Sequence, residues 1–469
     1  MSTEVFAPSF FARSLGGRRV VVVGLGRSGV AAASLLRAHG AEVVGTDAAS
    51  REKLSDAARA LEGSGVELAV GGHGAAGLER AELVVVSPGV PRFAALDQAE
   101  AAGVEVIGEI ELFHRFVPGV PSVAITGSNG KSTTTTLVGE LLEAMGARPF
   151  VGGNLGVPPC EAVPRPGGVA RFEHEVVVLE ISSFQAERVP TYRPRRAALL
   201  NLSPNHLDRY DSYEGYVAAK GNLFVQQEPS DAAVIPAGDA ACEAQARRGR
   251  GTILRFGLAS GPPADFVVER DAIVDVARGL RFDRGAMRLA GDHNALNVAA
   301  SLALLADREP EPALVREVLA SFAGLAHRIA KVTVVDGVVF YDDSKGTNVG
   351  ASVAAIRGLA ENRVVLVAGG RDKLGSYDPL VEALRDRGRG AVLIGEAADR
   401  LAEAIGTTVP LRRAGSMAEA VEASFELAEP GDAVLLSPAC SSFDMFRDYH
   451  HRGQAFVEAV ESLAARRAG

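Results

Sequence analysis

Cysteine is scarce in this sequence. Cys160, Cys242 and Cys440 are three in 469 residues, far apart and odd in number. That pattern argues against a disulfide framework, and none of the three has metal-ligand spacing. Long apolar runs are also missing: no stretch reaches the roughly 18 residues of a membrane span. The opening segment, MSTEVFAPSFFARSLGG, lacks the apolar core of a secretory signal. Positive charge is in deficit, with a net charge of -9, which disfavours non-specific binding to nucleic acid or anionic membranes. No fixed-period repeat or low-complexity tract occurs. The expectation is a cytoplasmic monomer with neither nucleic acid nor membrane as a partner.

What remains is a globular composition, 47% hydrophobic and 23% charged. A chain of 469 residues is long enough for two to four domains. Arg19–Val23, Glu42–Thr46 and Leu83–Ser87 read as strands, and Ser28–His39 as a helix closed by Gly40. Strand and helix alternate again from Ser122–Thr126, through Val176–Ile181 to a helix over Ala295–Ala306. A third cycle has strands at Val338–Tyr341, Arg363–Ala368, Ala391–Ile394 and Ala433–Leu436. The fold class is therefore α/β with three domains, 1–118, 119–325 and 326–469. Phe116–Pro121, rich in Pro and Gly, reads as the first linker.

The most specific string is TGSNGKST at 126–133, directly after an apolar strand. Convergent backbone N–H groups, a helix N-terminus and Lys131 make an anion site. Gly127, Ser128, Asn129, Gly130, Lys131, Ser132 and Thr133 would hold ATP phosphates, and the Ser132 hydroxyl would reach Mg²⁺. Two residues, not the usual four, separate Gly127 from Gly130. In the first domain Gly24-Leu25-Gly26-Arg27-Ser28-Gly29 fits a dinucleotide turn, with Asp47 ending the next strand. An NAD-dependent dehydrogenase explains this turn alone, and a nucleotide-sugar diphosphate meets the same geometry. Ser87 and Gly89, after a later strand, point to the same sheet edge.

Glu180 ends an apolar strand, where a carboxylate suits a nucleotide-bound Mg²⁺. An ordinary strand-end acid looks the same. His206 lies in an irregular polar stretch and Lys220 on a helix, and neither is diagnostic alone. Asn294 and Asn297 share a helix face and could read a base or ribose, or simply cap the helix. Arg328, the string DSKGTN at 343–348, Lys373 and Ser442-Phe443 form a polar rim at strand ends, where α/β sheets bind ligands.

Together TGSNGKST, EISSFQ at 180–185, HLDRY at 206–210 with AAK at 218–220, GDHNALN at 291–297, the His327-Arg328 pair, DSKGTN, GGRDK at 369–373 and LLSPACSSFD at 435–444 resemble the Mur ligase family of peptidoglycan synthesis. The first-domain glycine loop and DSKGTN favour the D-glutamate-adding branch over those adding L-alanine, a diamino acid or D-alanyl-D-alanine. The resemblance implies a Rossmann-like first domain, a central P-loop ATPase-type domain with a mixed or parallel sheet, and a Rossmann-like third domain. It implies that Gly26, Arg27, Ser28, Gly29, Asp47, Ser87 and Gly89 hold UDP-N-acetylmuramoyl-L-alanine. Asn294, Asn297, Arg328 and Asp343 would contact ATP. Lys345, Thr347, Lys373, Ser442, Phe443 and Tyr449 would serve D-glutamate. Asn154 would lie near the reacting carboxylate. Ser132 and Glu180 would hold one Mg²⁺; His206, and Lys220 carrying CO₂ as a carbamate, would hold a second. The chain departs from the family pattern at Asn205 (usually Asp), Gly346 (usually Ala) and Ala330 (usually an acid). Only the first is expected to matter, by removing a charge beside the second metal. A different amino-acid specificity within the family, or a nucleotide-binding module without turnover, are the other readings.

Overall fold

The computed structural model describes residues 10–167, 172–206, 209–289, 291–322, 324, 327–372 and 376–468. It divides into two compact units. The first comprises Met1–Leu202, Glu214–Ala286 and Leu296–Leu319; the second comprises Ser203–Tyr213, Met287–Ala295 and Ala320–Gly469.

The first unit holds two sheets. One contains β1 (Arg19–Val23), β2 (Glu42–Asp47), β3 (Glu67–Val70), β4 (Leu83–Val86) and β5 (Glu105–Gly108), ordered β3-β2-β1-β4-β5 and wholly parallel. The unbroken valine runs of β1 and β4 are what strands buried on both faces require. The chain leaves β1 toward β2 and later returns on the other side to β4. That reversal is the switch point where open α/β sheets bind ligands.

The other sheet contains β6 (Ser122–Thr126), β7 (Pro149–Gly153), β8 (Val176–Glu180), β9 (Arg196–Leu199), β10 (Ala232–Pro236), β11 (Thr252–Leu258), β12 (Phe266–Val268), β13 (Ala272–Asp275) and β14 (Leu280–Asp283). Its order is β14-β13-β12-β11-β10-β9-β6-β8-β7, parallel except for the antiparallel pairs at β12-β13-β14. Here β6 is the switch strand, flanked by β8 and β9.

The segment read as a linker is a packed joint. Phe116, Val117 and Val120 are buried in one apolar core with Leu36, Phe113 and Leu179. Beside it Glu111 is fully buried and accepts the backbone N–H groups of Thr191 and Tyr192, both at 3.0 Å. The two sheets of this unit are thus clasped by the buried side chains of the connector and by the bonds to Glu111.

The second unit carries β15 (Ala330–Val335), β16 (Val338–Asp342), β17 (Val364–Gly369), β18 (Gly388–Ile394), β19 (Leu411–Arg413) and β20 (Ala433–Leu436), ordered β15-β16-β20-β17-β18-β19. Only β15 runs antiparallel to its neighbour. Among the described residues no helix is long and apolar enough to cross a membrane.

Candidate active site

At the first switch point the turn after β1 is held by side chains as well as by glycine. Gly24 has φ +86°, and its carbonyl accepts the Ser87 hydroxyl at 2.7 Å. A Cβ on Gly29 would lie 1.8 Å from the Gly24 carbonyl oxygen, so this position has no room for a side chain. Both carboxylate oxygens of Asp47 are used: they accept Leu25 N–H and Ala49 N–H, each at 2.8 Å. Gly26, Arg27 and Gly89 are exposed at the mouth of this turn, and Ser28 is half-buried at the start of the helix Arg27–Ala38. Beneath it lies Glu109, which sequence reading missed because it looks like any helix-start acid. It is buried, and burial pushes its carboxyl up to about 7 against hydrogen bonds from Ser28 and Cys160.

At the second switch point the loop after β6 enters the 14-residue helix Lys131–Ala144. Gly127 (φ +146°) and Gly130 (φ +81°) take backbone conformations that side chains resist. A Cβ on Gly130 would stand 2.3 Å from Asn297 Oδ1, so that asparagine packs directly on the loop. Asn201, just past β9, braces the loop. Its backbone carbonyl accepts Ser128 N–H at 3.0 Å, its Oδ1 accepts Asn129 N–H at 2.8 Å, and its Nδ2 donates to the Asn129 carbonyl at 3.1 Å. The Ser128 hydroxyl meets the Tyr216 hydroxyl at 2.9 Å. Asn201 and Tyr216 act only through folding, and no spacing in the sequence signals them.

Lys131 Nζ donates to the carbonyls of Gly127 and Ser128 at 2.9 and 3.0 Å. Lys220 is no surface lysine. It is buried, donating to Gly127 O at 2.9 Å and Thr126 Oγ1 at 3.2 Å. Burial first, then the charge of Lys131, push its amine well below the lysine range, against the pull of Glu180. Glu180 ends β8 beside the loop, buried, and accepts Asn154 Nδ2 at 2.5 Å. The rest of its string is local. Ser182 and Gln185 form a capping box for the helix Ser183–Ala186. Ser132 and Thr133 are buried in the first turn of their helix. Among the described residues no group of three or more His, Cys, Asp or Glu could hold a metal by itself. One carboxylate with a hydroxyl suits Mg²⁺ that takes its other ligands from nucleotide oxygens and water.

The second unit carries the remaining candidates. His206 has a left-handed backbone (φ +58°), and its N–H is accepted by Asn205 Oδ1 at 3.1 Å. An amide fills that role as well as a carboxylate would, though without the charge. Leu207, Asp208 and the proposed Lys373 lie outside the described residues. Asn294 sits one turn before Asn297 on the helix Asp292–Leu304. Arg328 is half-buried. Asp343 is buried and accepts the Ser437 hydroxyl at 2.7 Å. Its carboxyl is raised to about 7 by burial, opposed by Ser437 and Arg328. Gly346 is tighter than expected, since a Cβ there would lie 2.4 Å from Asp343 Oδ2 and 2.5 Å from Ser437 Oγ. Lys345 Nζ lies 3.8 Å from the centroid of the Tyr449 ring, so these two meet. Thr347 is half-buried and Ser442 buried, whereas Phe443 is 65% exposed. Ala330 opens β15 opposite Asp342. The neighbouring Asp342, not singled out from sequence, holds His327 Nδ1 at 2.5 Å and Ser344 N–H at 2.9 Å.

A glycine-turn parallel sheet, a glycine-lysine loop entering a helix at the switch point of a second sheet and a polar rim on a third are the architecture of a nucleotide-using α/β enzyme. Family models match along most of the chain: "Mur ligase MurD-like, N-terminal domain" over 18–108, "Mur ligase middle domain" over 125–305 and "Mur ligase, glutamate ligase domain" over 327–440. The chain belongs to the Mur ligase family and is an ATP-dependent ligase. It is 44% identical over 455 residues to UDP-N-acetylmuramoylalanine--D-glutamate ligase of Geobacter metallireducens, covering 96% of this chain and 98% of that one. It is 41% identical over 458 residues to the Myxococcus xanthus enzyme of the same name, covering 96% and 99%. Its fold is similar to the MurF ligase of Thermotoga maritima solved with ADP (TM-score 0.60, 17% identity, 97% of each chain). It is also similar to the UDP-N-acetylmuramate-alanine ligase MurC of Thermotoga maritima (TM-score 0.57, 20% identity, 95% and 100% covered). The dehydrogenase reading, drawn from one glycine turn, gives way to these full-length matches.

Proposed function

We infer that this chain joins the amine of D-glutamate to the carboxylate of UDP-N-acetylmuramoyl-L-alanine with consumption of ATP, as a cytoplasmic monomer in peptidoglycan precursor synthesis. The observation that carries the ligase chemistry is the loop Gly127–Thr133, with Lys131 and Lys220 converging on one carbonyl and Glu180 at the next strand end. The choice of amino acid is supported by the name that the full-length relatives bear.

Residues 1–118 are assigned the nucleotide-sugar, 119–325 Mg-ATP and 326–469 the amino acid. The muramoyl-alanine carboxylate attacks the γ-phosphorus of ATP, ADP leaves and an acyl phosphate forms. The D-glutamate amine then attacks the activated carbonyl, sheds a proton, and phosphate departs. Loop N–H groups, the helix N-terminus and Lys131 offset the charge of the transferring phosphoryl group. Ser132 and Glu180 would hold one Mg²⁺, and His206 with a carbamylated Lys220 a second. When bound, these ions supply positive charge to the phosphoryl oxygens. The lowered amine pKa of Lys220 supports this role, because only a neutral amine takes up CO₂ and the product is an anionic ligand. Asp47 acts indirectly, by closing the glycine turn over which the diphosphate would lie. Gly26–Gly29, Ser87 and Gly89 complete that subsite. Asn297 and Asn294, with Arg328 and Asp343, serve ATP. Lys345, Thr347, Lys373, Ser442, Phe443 and Tyr449 serve D-glutamate.

The test is phosphate release with UDP-N-acetylmuramoyl-L-alanine, comparing D-glutamate with L-glutamate, a diamino acid and D-alanyl-D-alanine. Release that depends on the nucleotide-sugar and on D-glutamate together is expected. Full ATP consumption without either, or preference for another amino acid, would overturn the reading.

A further inference from the structure

Three loops of the proposed amino-acid site leave the carboxyl ends of β16, β20 and β17, which are neighbours in that order in the sheet. One buried side chain bonds to all three. Arg452, in the first turn of the helix Tyr449–Ala468, has no solvent exposure. Its Nη2 donates to the Ser344 carbonyl at 2.8 Å and its Nε to the Ser344 hydroxyl at 3.1 Å. Nη1 and Nη2 both donate to the Cys440 carbonyl at 3.2 Å, and Nη1 also reaches Gly369 O at 3.4 Å. Ser344 follows β16, Cys440 follows β20, and Gly369 is the last residue of β17.

The fit is close. Gly370 has φ +129°, and a Cβ there would lie 2.1 Å from Ser441 O and 3.1 Å from Arg452 Nη1. The Ser344 hydroxyl, besides accepting from Arg452, donates to the Tyr449 carbonyl at 2.8 Å. Among the described residues Arg452 has no carboxylate within ion-pair distance; its partners are a hydroxyl and neutral carbonyls. Asp342, Asp343 and Asp444 act on the guanidinium only from beyond ion-pair distance, burial still pulls its pKa down, and an apolar side chain would fill the space at lower cost. What an apolar side chain lacks is the planar fork that fixes several carbonyl oxygens at once.

We propose that Arg452 is a positioning residue for amino-acid binding, setting the mutual placement of the loops that begin at Ser344, Gly369 and Cys440. It does not touch the substrate. It holds Ser344, which precedes Lys345 and Thr347, and Cys440, which precedes Ser442 and Phe443, in one register beneath a dicarboxylate ligand. This rests on the function proposed above, and the experiment separates the two.

The measurement is steady-state phosphate release by wild type, Arg452→Lys and Arg452→Met, with each of the three substrates varied in turn. A single ammonium cannot fork to three loops. Arg452→Lys is therefore expected to raise KM for D-glutamate about tenfold, the effect of losing charged hydrogen bonds, and Arg452→Met more. The KM values for ATP and the nucleotide-sugar, and kcat at saturating D-glutamate, should stay within about threefold, a change too small to represent loss of one such bond. Guanidinium chloride at millimolar concentration should restore part of the D-glutamate affinity of Arg452→Met. If Arg452→Met does not fold, Arg452→Lys carries the test. A folded Arg452→Lys with unchanged KM for D-glutamate, or one in which all three KM values rise alike, overturns the proposal. Wild type without D-glutamate-dependent release overturns the functional reading instead.

Discussion

Lys131 and Lys220 donate to the same atom, the carbonyl oxygen of Gly127, each at 2.9 Å. Two ammonium groups on one acceptor repel, and the group with less solvent gives way first. Lys220 is the buried one, and its amine is pushed well below the lysine range. Near-identical positions thus yield different chemistry: a cation at the mouth of the loop, and behind it an amine inclined to lose its proton.

Lys131→Ala removes the cation without disturbing the first sheet. Phosphate release should fall on the order of 10²–10³-fold, the usual effect of losing one transition-state donor. Calorimetric affinity for the nucleotide-sugar should stay nearly constant. Loss of both together would mean that the two binding functions are wrongly divided between the domains.

Lys220→Met replaces a buried amine by an apolar chain of similar length. Turnover should be lost while the melting temperature is unchanged or raised, because the desolvation cost disappears. The sign follows from linkage. A lysine whose folded pKa lies below its ordinary 10.5 makes the wild type gain stability as pH rises from the folded pKa toward that value. In buffer free of CO₂, where the Lys220 amine is unmodified, the variant should lose that slope in pH-dependent melting. A variant melting far below wild type at every pH would show that the bonds to Gly127 and Thr126 dominate.

Asp47 satisfies Leu25 N–H and Ala49 N–H at 2.8 Å each. Asp47→Ala leaves both without this acceptor, at a cost of about 1–3 kcal/mol. KM for the nucleotide-sugar should rise about tenfold or more, with kcat nearly preserved. Asp47→Asn keeps one acceptor and should fall between. An effect confined to kcat would contradict this role.

Gly346→Ala restores the residue usual in the family, yet a methyl group would meet Asp343 Oδ2 at 2.4 Å and Ser437 Oγ at 2.5 Å. The bond between those two side chains, 2.7 Å here, must then open. The expected result is a loss of about 1 kcal/mol of stability and an altered KM for ATP. A variant indistinguishable from wild type in both would show that Asp343 swings aside freely.

Acid should stabilise the ligand-free protein between neutral pH and about pH 5 through two carboxyls. Glu109 and Asp343 both sit at about 7, raised chiefly by burial from 4.5 and 3.8. A carboxyl with a raised folded pKa contributes stability that is complete below its ordinary pKa and lost as pH climbs through about 7. These two carboxyls push the melting temperature down from pH 5 to pH 8, while histidines such as His114 and His293, whose pKa values are lowered by burial, push it the other way. Relative to wild type, Glu109→Gln or Asp343→Asn should therefore each melt higher at pH 8 than at pH 5. An unchanged slope in either variant would remove that residue from the account.

Much of the first and second sheets was legible from neighbours in the chain. The valine runs of β1 and β4, the helix closed at Gly40 and the loop TGSNGKST carry local instructions: burial on both faces, a left-handed cap, a tight turn before a helix. Helix starts were less exact. The helix read as Ala295–Ala306 begins at Asp292, because the polar GDHN stretch forms its first turn instead of preceding it. The Pro/Gly-rich segment Phe116–Pro121 does run between the first sheet and the second, but its packing was not legible, since its valines are buried by partners far along the chain.

By itself, then, the sequence determined that a tight glycine turn forms between β6 and the helix Lys131–Ala144, that strands and helices alternate, and which polar strings stand at strand ends. These depend on backbone conformation and on the burial pattern of adjacent residues, which neighbours set. Tertiary structure alone decided that β6 lies between β8 and β9, so that Glu180 and Asn201 flank the loop. It alone turned Lys220 inward, placed Glu109 beneath Ser28, and brought Arg452 to Ser344 across 108 residues. Such contacts depend on strand order and on the cost of burying charge, neither of which is written in the spacing of any one segment.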